Sequence, residues 1–295
     1  MLYPSIPRTR DREDIKVLKC LESGVIFLDR QLDDVKSTYL VGEPGTSRMC
    51  SETLVDGQNI QIINISDAER RLEQFRELLA GKKVLDFGTG DGAFLDLASN
   101  IASEAVGIEL SPRHVADMKS RGISCERDVG ALNGKRFEVI TMFHCLEHLT
   151  NPVETLAMLG GVLTSDGQLI LEVPHARDFL LEELECATFL AFTFWSQHLV
   201  LHTSESLQKS LQLAGFGKIE IQGCQRYGLE NHLYWLAKGL PGGHEQWARF
   251  RSEPLNNAYS DSLVTWGHRY THSVRCPLNF GSPTFIPFAR AAAAC

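Results

Sequence analysis

The stretch VLDFGTGDGAFL, residues 84–95, sets Gly88, Gly90 and Gly92 between a strand-like run and a helix-like run. Glycines in such a turn let the backbone approach a nucleotide-like ligand closely. The spacing Gly88-x-Gly90-x-x-Ala93 also fits the permissive dinucleotide fingerprint, so the glycines alone leave the ligand open. Charge narrows the choice. Asp86 ends the strand run and Asp91 lies inside the turn. Two carboxylates there repel the pyrophosphate that a dinucleotide lays over a helix N-terminus. They suit a ligand that carries an ammonium and a sulfonium.

S-adenosylmethionine (SAM) carries both groups. Two more acids fall where such a ligand needs them. Glu109, in AVGIEL, can accept hydrogen bonds from a ribose diol, a role a dinucleotide would also use. Asp128, in CERDV, can meet an adenine amino group.

Three histidine-bearing stretches could act on a second substrate. In FHCLEHLTNP, His144 and His148 are four apart with Glu147 beside them, so a helix would set all three on one face. A histidine there could be the general base that takes the acceptor's proton. His144, Glu147 and His148 could instead hold a divalent metal, or Glu147–His148 could be a structural pair; no metal is assigned. In FWSQHLVLHTSESLQ, His198 is a third candidate base, and Trp195 and His202 fit an acceptor wall. In QRYGLENHLYWLAKGLPGGH, we expect Arg226, Asn231, His232 and His244 to contact an acceptor. Arginine suits anionic groups, so a phosphorylated or nucleotide-linked sugar is the acceptor expected.

The elements that must carry these residues alternate. Strands are expected at 83–87, 105–109, 123–127, 137–143, 168–173 and 218–222, with helices at 67–80, 93–99, 112–121, 152–163, 204–214 and 229–240. Ser66 reads as the cap of the first helix. The pattern predicts an α/β, Rossmann-like, doubly wound and mostly parallel sheet, with an insertion at 177–202 over the active-site face. Residues 1–65 read as a small N-terminal cap, 66–250 as the ligand-binding domain, and 251–295 as an irregular segment with a last strand at 284–288.

From Lys82 to Gln222 the chain resembles the class I SAM-dependent methyltransferases, with VLDFGTGDG, GIELS, RDV, FEVITMFHCLEHLTNP and GQLILEVP in the family's order. The resemblance implies methyl transfer to a small acceptor, with Asp86, Gly88, Gly90, Glu109 and Asp128 holding SAM. It implies that the loop after the fourth strand faces donor and acceptor. Residues 195–198 are similar to the sugar C-methyltransferase branch, where Tyr-His-Glu-His stands; only His198 is retained. That branch also carries N-terminal zinc-binding cysteines. Here Cys20 remains, with Ser23 where a second cysteine would stand, so the cap reads as a ribbon that no longer binds metal. Both departures favour O- or N-methylation.

The 295-residue chain has 37 acidic and 29 basic residues, a net charge of −8. That argues against a nucleic-acid or anionic-membrane surface. The apolar run 186–201 is too short to span a bilayer. The eight cysteines form no C-x-x-C pair and the first residues show no apolar signal core, so reduced thiols and a cytoplasmic location are expected. Two other readings stay open: a SAM-binding scaffold without catalysis, and an NAD(P)-dependent oxidoreductase, which Asp86 and Asp91 disfavour. Nothing in the sequence indicates an oligomeric state.

Overall fold

A computed structural model of the chain describes residues 8–30, 60–224, 226, 228–250, 252–265 and 271–277. Helix α1, Ile60–Leu79, starts earlier than expected because no glycine or proline interrupts the run, and Ser66 lies inside it. From there β3 (Lys83–Phe87), β4 (Glu104–Ile108), β5 (Cys125–Glu126), β6 (Phe137–Phe143) and β7 (Leu163–Pro174) alternate with helices α2 (Ala93–Ser99), α3 (Pro112–Ser120) and α4 (Pro152–Val162). These five strands are parallel, in the order β5-β4-β3-β6-β7. The sheet continues through β10 (Thr271–Pro277) to β9 (Glu220–Cys224), and β10 runs antiparallel to both neighbours. The strand expected at 284–288 lies outside the described residues.

Both faces of the sheet are covered, which explains why its strands read as continuous apolar runs. Phe75 and Leu79 of α1 and Phe94 of α2 pack with Val84, Val139 and Ile170 on one side. Leu156 and Leu159 of α4, with Leu207 and Leu211 of α7 (Ser204–Leu213), pack with Leu85, Ile140 and Leu171 on the other. Chain order reverses at β3, which pairs with β4 on one side and β6 on the other. In such a sheet ligands bind beyond the carboxyl ends of the strands at this reversal.

A second layer lies apart from the sheet. Strands β1 (Lys16–Lys19) and β2 (Ile26–Asp29) form a three-stranded sheet with β8 (Val200–Leu201) from the insertion. Val17 and Ile26 share an apolar cluster with Leu180, Phe189, Phe194 and Leu201 of the insertion and with Trp235 of α8 (Leu229–Lys238). Within the insertion, α5 (Phe179–Glu182) and α6 (Ala187–Thr193) are short. Cys20, Cys125, Cys145 and Cys186 are free thiols. Among the described residues, no helix is long and apolar enough to cross a membrane.

Candidate active site

The turn after β3 needs its glycines. Gly88, Gly90 and Gly92 adopt φ of +75°, +60° and +82°, the left-handed region. A Cβ on Gly88 would sit 2.5 Å from Cys145 Sγ, whereas the space over Gly90 is open to 4 Å. Glu109 fixes the turn: its Oε2 accepts from Gly90 N at 3.0 Å and its Oε1 from Ser111 N at 2.8 Å. Each oxygen keeps a further lone pair for a ligand hydroxyl. Asp86 is buried and accepts from Thr141 Oγ1 at 2.6 Å. Burial raises its pKa against the hydrogen bond from Thr141, and a cationic ligand beside it would favour the ionised carboxylate. Asp128 caps the short turn 129–132 through Ala131 N. Asp91 accepts from Ala93 N at the start of α2.

The loop after β6 departs from the helix that the i, i+4 spacing suggested. His144 takes φ +50°, and 146–148 form a single tight turn. His144 and His148 therefore do not share a helix face. The His144 ring sits between two carboxylates, with Nε2 3.1 Å from Glu172 Oε1 and Nδ1 3.4 Å from Glu147 Oε1. Burial alone would lower its pKa, but the bonds and charges of Glu147 and Glu172 outweigh that and raise it. Glu172, fully buried in β7, also binds Arg70 and Arg71 of α1, and these partners hold its carboxyl well below the usual range despite burial. Sequence reasoning missed Glu172, Arg70 and Arg71. The available signal was one charge inside the apolar run LILEVP.

His148 turns toward the insertion. Its Nδ1 donates to Gln197 O at 2.8 Å, and Leu199 N donates to Glu147 O at 2.8 Å. His198 Nδ1 donates to Thr193 O at 2.9 Å. Trp195 stands edge-on to both rings, 6.0 Å from His148 and 5.4 Å from His198 between centroids. It is buried as packing for the two histidines. Glu147 is buried, yet His144, His148 and His198 together lower its pKa to about 2 against the cost of burial. Burial, then His148, pushes His198 down to about 3. The N-terminal segment clamps this region: Asp11 accepts from Ser196 N and Oγ, Arg10 N donates to Phe194 O, and Leu28 N donates to Leu199 O.

A family model described as a methyltransferase domain matches residues 64–221, more than half of the chain. The chain belongs to this family. It is an S-adenosylmethionine-dependent enzyme of class I. Among its relatives, a ubiquinone biosynthesis O-methyltransferase of Psychrobacter arcticus is 24% identical over 55% of this chain and 69% of that protein. One from Nitrosococcus oceani is 31% identical over 34% of this chain and 47% of its own. A demethylmenaquinone methyltransferase of Tropheryma whipplei is 30% identical over 42% of this chain. The chain spans about half the length of these last two relatives. The fold is shared with a SAM-dependent methyltransferase from Archaeoglobus fulgidus, at a TM-score of 0.51 and 17% identity over 72% of this chain and 94% of the other. It is also shared with a magnesium protoporphyrin IX methyltransferase from Synechocystis, solved with bound SAM, at 0.50 and 12% over 85% and 100%.

The remaining residues expected to touch an acceptor are engaged within the methyltransferase itself. The Arg226 guanidinium pairs with Asp67 of α1. Asn231 Oδ1 accepts from Gly243 N at 3.1 Å. His232 is buried against Phe179 and bonded to Tyr259 of α10 (Glu253–Thr265). His202 is buried, with Nδ1 3.1 Å from Ser206 Oγ in a capped helix start. His244 is half-buried in α9 (Gly243–Gln246). The structure thus brings His144, His148 and His198 together around Glu147, and gives Arg226, Asn231 and His232 partners inside the fold.

Proposed function

We propose that this methyltransferase moves a methyl group from SAM to a hydroxyl oxygen of a small acceptor docked between the 144–148 loop and the 194–202 segment. One observation carries the reading: Gly88 packs directly on Cys145, so the donor turn and the histidine loop meet at the reversal of strand order. Asp86, Gly88, Gly90, Glu109 and Asp128 hold the cofactor in this reading. Bound there, SAM supplies a methyl group already activated by its sulfonium. The protein's task is then to position the acceptor and let its proton leave. The proton leaves through the cluster of Glu147, His148 and His198. His144, set between the carboxylates of Glu147 and Glu172, is a positioning residue for Glu147. Relatives named as O-methyltransferases support oxygen as the acceptor atom. A phosphorylated or nucleotide-linked sugar loses its support, because Arg226 is held by Asp67.

The test is methyl transfer from labelled SAM to panels of hydroxylated aromatics, amines and sugar nucleotides. Label on a hydroxyl oxygen is expected. Label on an amine or a sugar carbon would overturn the reading, and SAM binding without turnover on any panel would favour a scaffold.

A further inference from the structure

Glu147 presents an unusual problem. Its carboxylate is 1% exposed, and neither oxygen makes a hydrogen bond of acceptable geometry. The nearest ring nitrogens are His144 Nδ1 at 3.4 Å and His148 Nε2 at 3.9 Å, both beside Oε1. A buried carboxylate with neither oxygen hydrogen-bonded is costly unless charge or a bound ion meets it. The residues around it indicate what compensates.

The tautomers of two neighbours follow from their partners. A carbonyl can only accept, so His148 Nδ1, bonded to Gln197 O, carries the ring proton. His198 Nδ1, bonded to Thr193 O, does the same. In each neutral ring Nε2 is then the nitrogen with the lone pair. One ligating atom each from Glu147, His148 and His198 lies within 4.8 Å of the others. Donor atoms around one ion with bonds of about 2.1 Å are roughly 3–3.4 Å apart, so small side-chain rotations close the set. Metal-bound histidines usually donate their other N–H to a carbonyl or carboxylate, and both rings here already do. The backbone bond from Leu199 N to Glu147 O ties the two ligand-bearing loops together at 2.8 Å.

We propose that Glu147, His148 and His198 bind one divalent transition-metal ion, with open positions facing the acceptor. Two imidazoles and one carboxylate suit Zn²⁺, Fe²⁺, Mn²⁺ or Co²⁺ rather than Mg²⁺ or Ca²⁺, which prefer all-oxygen sets. The ligand set differs from the one the sequence suggested. His144 turns to Glu172, and the third ligand comes from the insertion some fifty residues on. Where the methyl-transfer reading holds, the loaded ion would take over the part given above to these three side chains: an acceptor hydroxyl bound to it would be more acidic and pass its proton to solvent. The metal site itself does not depend on that reading.

The experiment is a Co²⁺ titration of the untagged, chelator-treated full-length protein, followed by visible absorption, with SAM affinity measured in parallel. One Co²⁺ per chain with a ligand-field band is expected. His198→Ala and Glu147→Gln should each weaken Co²⁺ at least tenfold and leave SAM affinity within about twofold. If His198→Ala no longer binds SAM, it has not folded, and His198→Gln takes its place. No stoichiometric band in the parent protein, or a band that both variants keep, would overturn the proposal. Because the readouts are the Co²⁺ band and SAM binding, a negative result here is separable from failure on the acceptor panel.

Discussion

The glycine turn after β3 and the lobe built by the N-terminal strands and the insertion solve the same problem, fixing polar groups in space, in opposite ways. In the donor turn the fixing is local. Glu109 is held by Ser111 two residues away and by Gly90 nineteen residues away. In the lobe it is remote. Ser196 is held by Asp11, 185 residues distant, and His148 by Gln197, 49 distant. Local fixing leaves a motif that survives in one short stretch of sequence. Remote fixing spreads the site over the N-terminal strands, the β6 loop and the insertion, where only the folded chain brings it together.

Four variants would break or sharpen this contrast. Glu172 joins the two regions, since it binds α1 arginines and the His144 ring. Glu172→Ala strands the buried Arg71 guanidinium and takes a partner from the half-buried Arg70, and should cost about 3–5 kcal/mol in urea unfolding. A loss under about 1 kcal/mol would show that the regions are not joined there. Gly88→Ala forces a Cβ onto Cys145 at a left-handed φ. It should weaken SAM roughly a hundredfold in calorimetry while Co²⁺ binding persists; equal loss of both would show that the two sites are one.

Asp178 tests the lobe through pH. Burial raises its pKa to about 7 against the backbone N–H groups of Leu180 and Leu181. The native state then keeps a proton that the unfolded chain has lost between about pH 4 and 7. Stability therefore falls as pH rises through that window and is level above it. Asp178→Asn should remove this slope and gain about 1–2 kcal/mol at pH 8; an unchanged slope in thermal unfolding would place the titration elsewhere. The smallest effect is expected at Arg226→Ala. Because Asp67 keeps Arg70 at 3.6 Å, the loss should be only about 1–2 kcal/mol of stability, with KM for SAM and acceptor unchanged. A rise in acceptor KM alone would restore the anion-binding role.

The legible and illegible parts follow the same divide. Gly88, Gly90 and Glu109 were readable because strand, turn and helix succeed one another without a gap. The alternation of apolar runs gave the five parallel strands to within a few residues. The convergence of His198 on His148 was not readable, because no periodicity reports a contact between loops. Arg226, Asn231 and His232 read as acceptor contacts in the sequence, and the partners the fold gives them were hidden for a related reason. Polar groups in an amphipathic segment look available until the helices that bury them, α1 and α10, are in place.

One feature of the sheet bears on the order of events during synthesis. Among the described residues, strand β9 is joined to the sheet through β10 alone, and β10 is made later. While a ribosome adds roughly 5–20 residues per second, the five parallel strands and the donor turn can close first. The β7 edge then waits uncovered until residue 277 emerges, and β9 waits with it. That interval exposes an apolar strand edge to neighbouring nascent chains. The nascent enzyme is thus able to meet its cofactor before β10 exists, and a ligand bound at that stage would steady the half-built sheet.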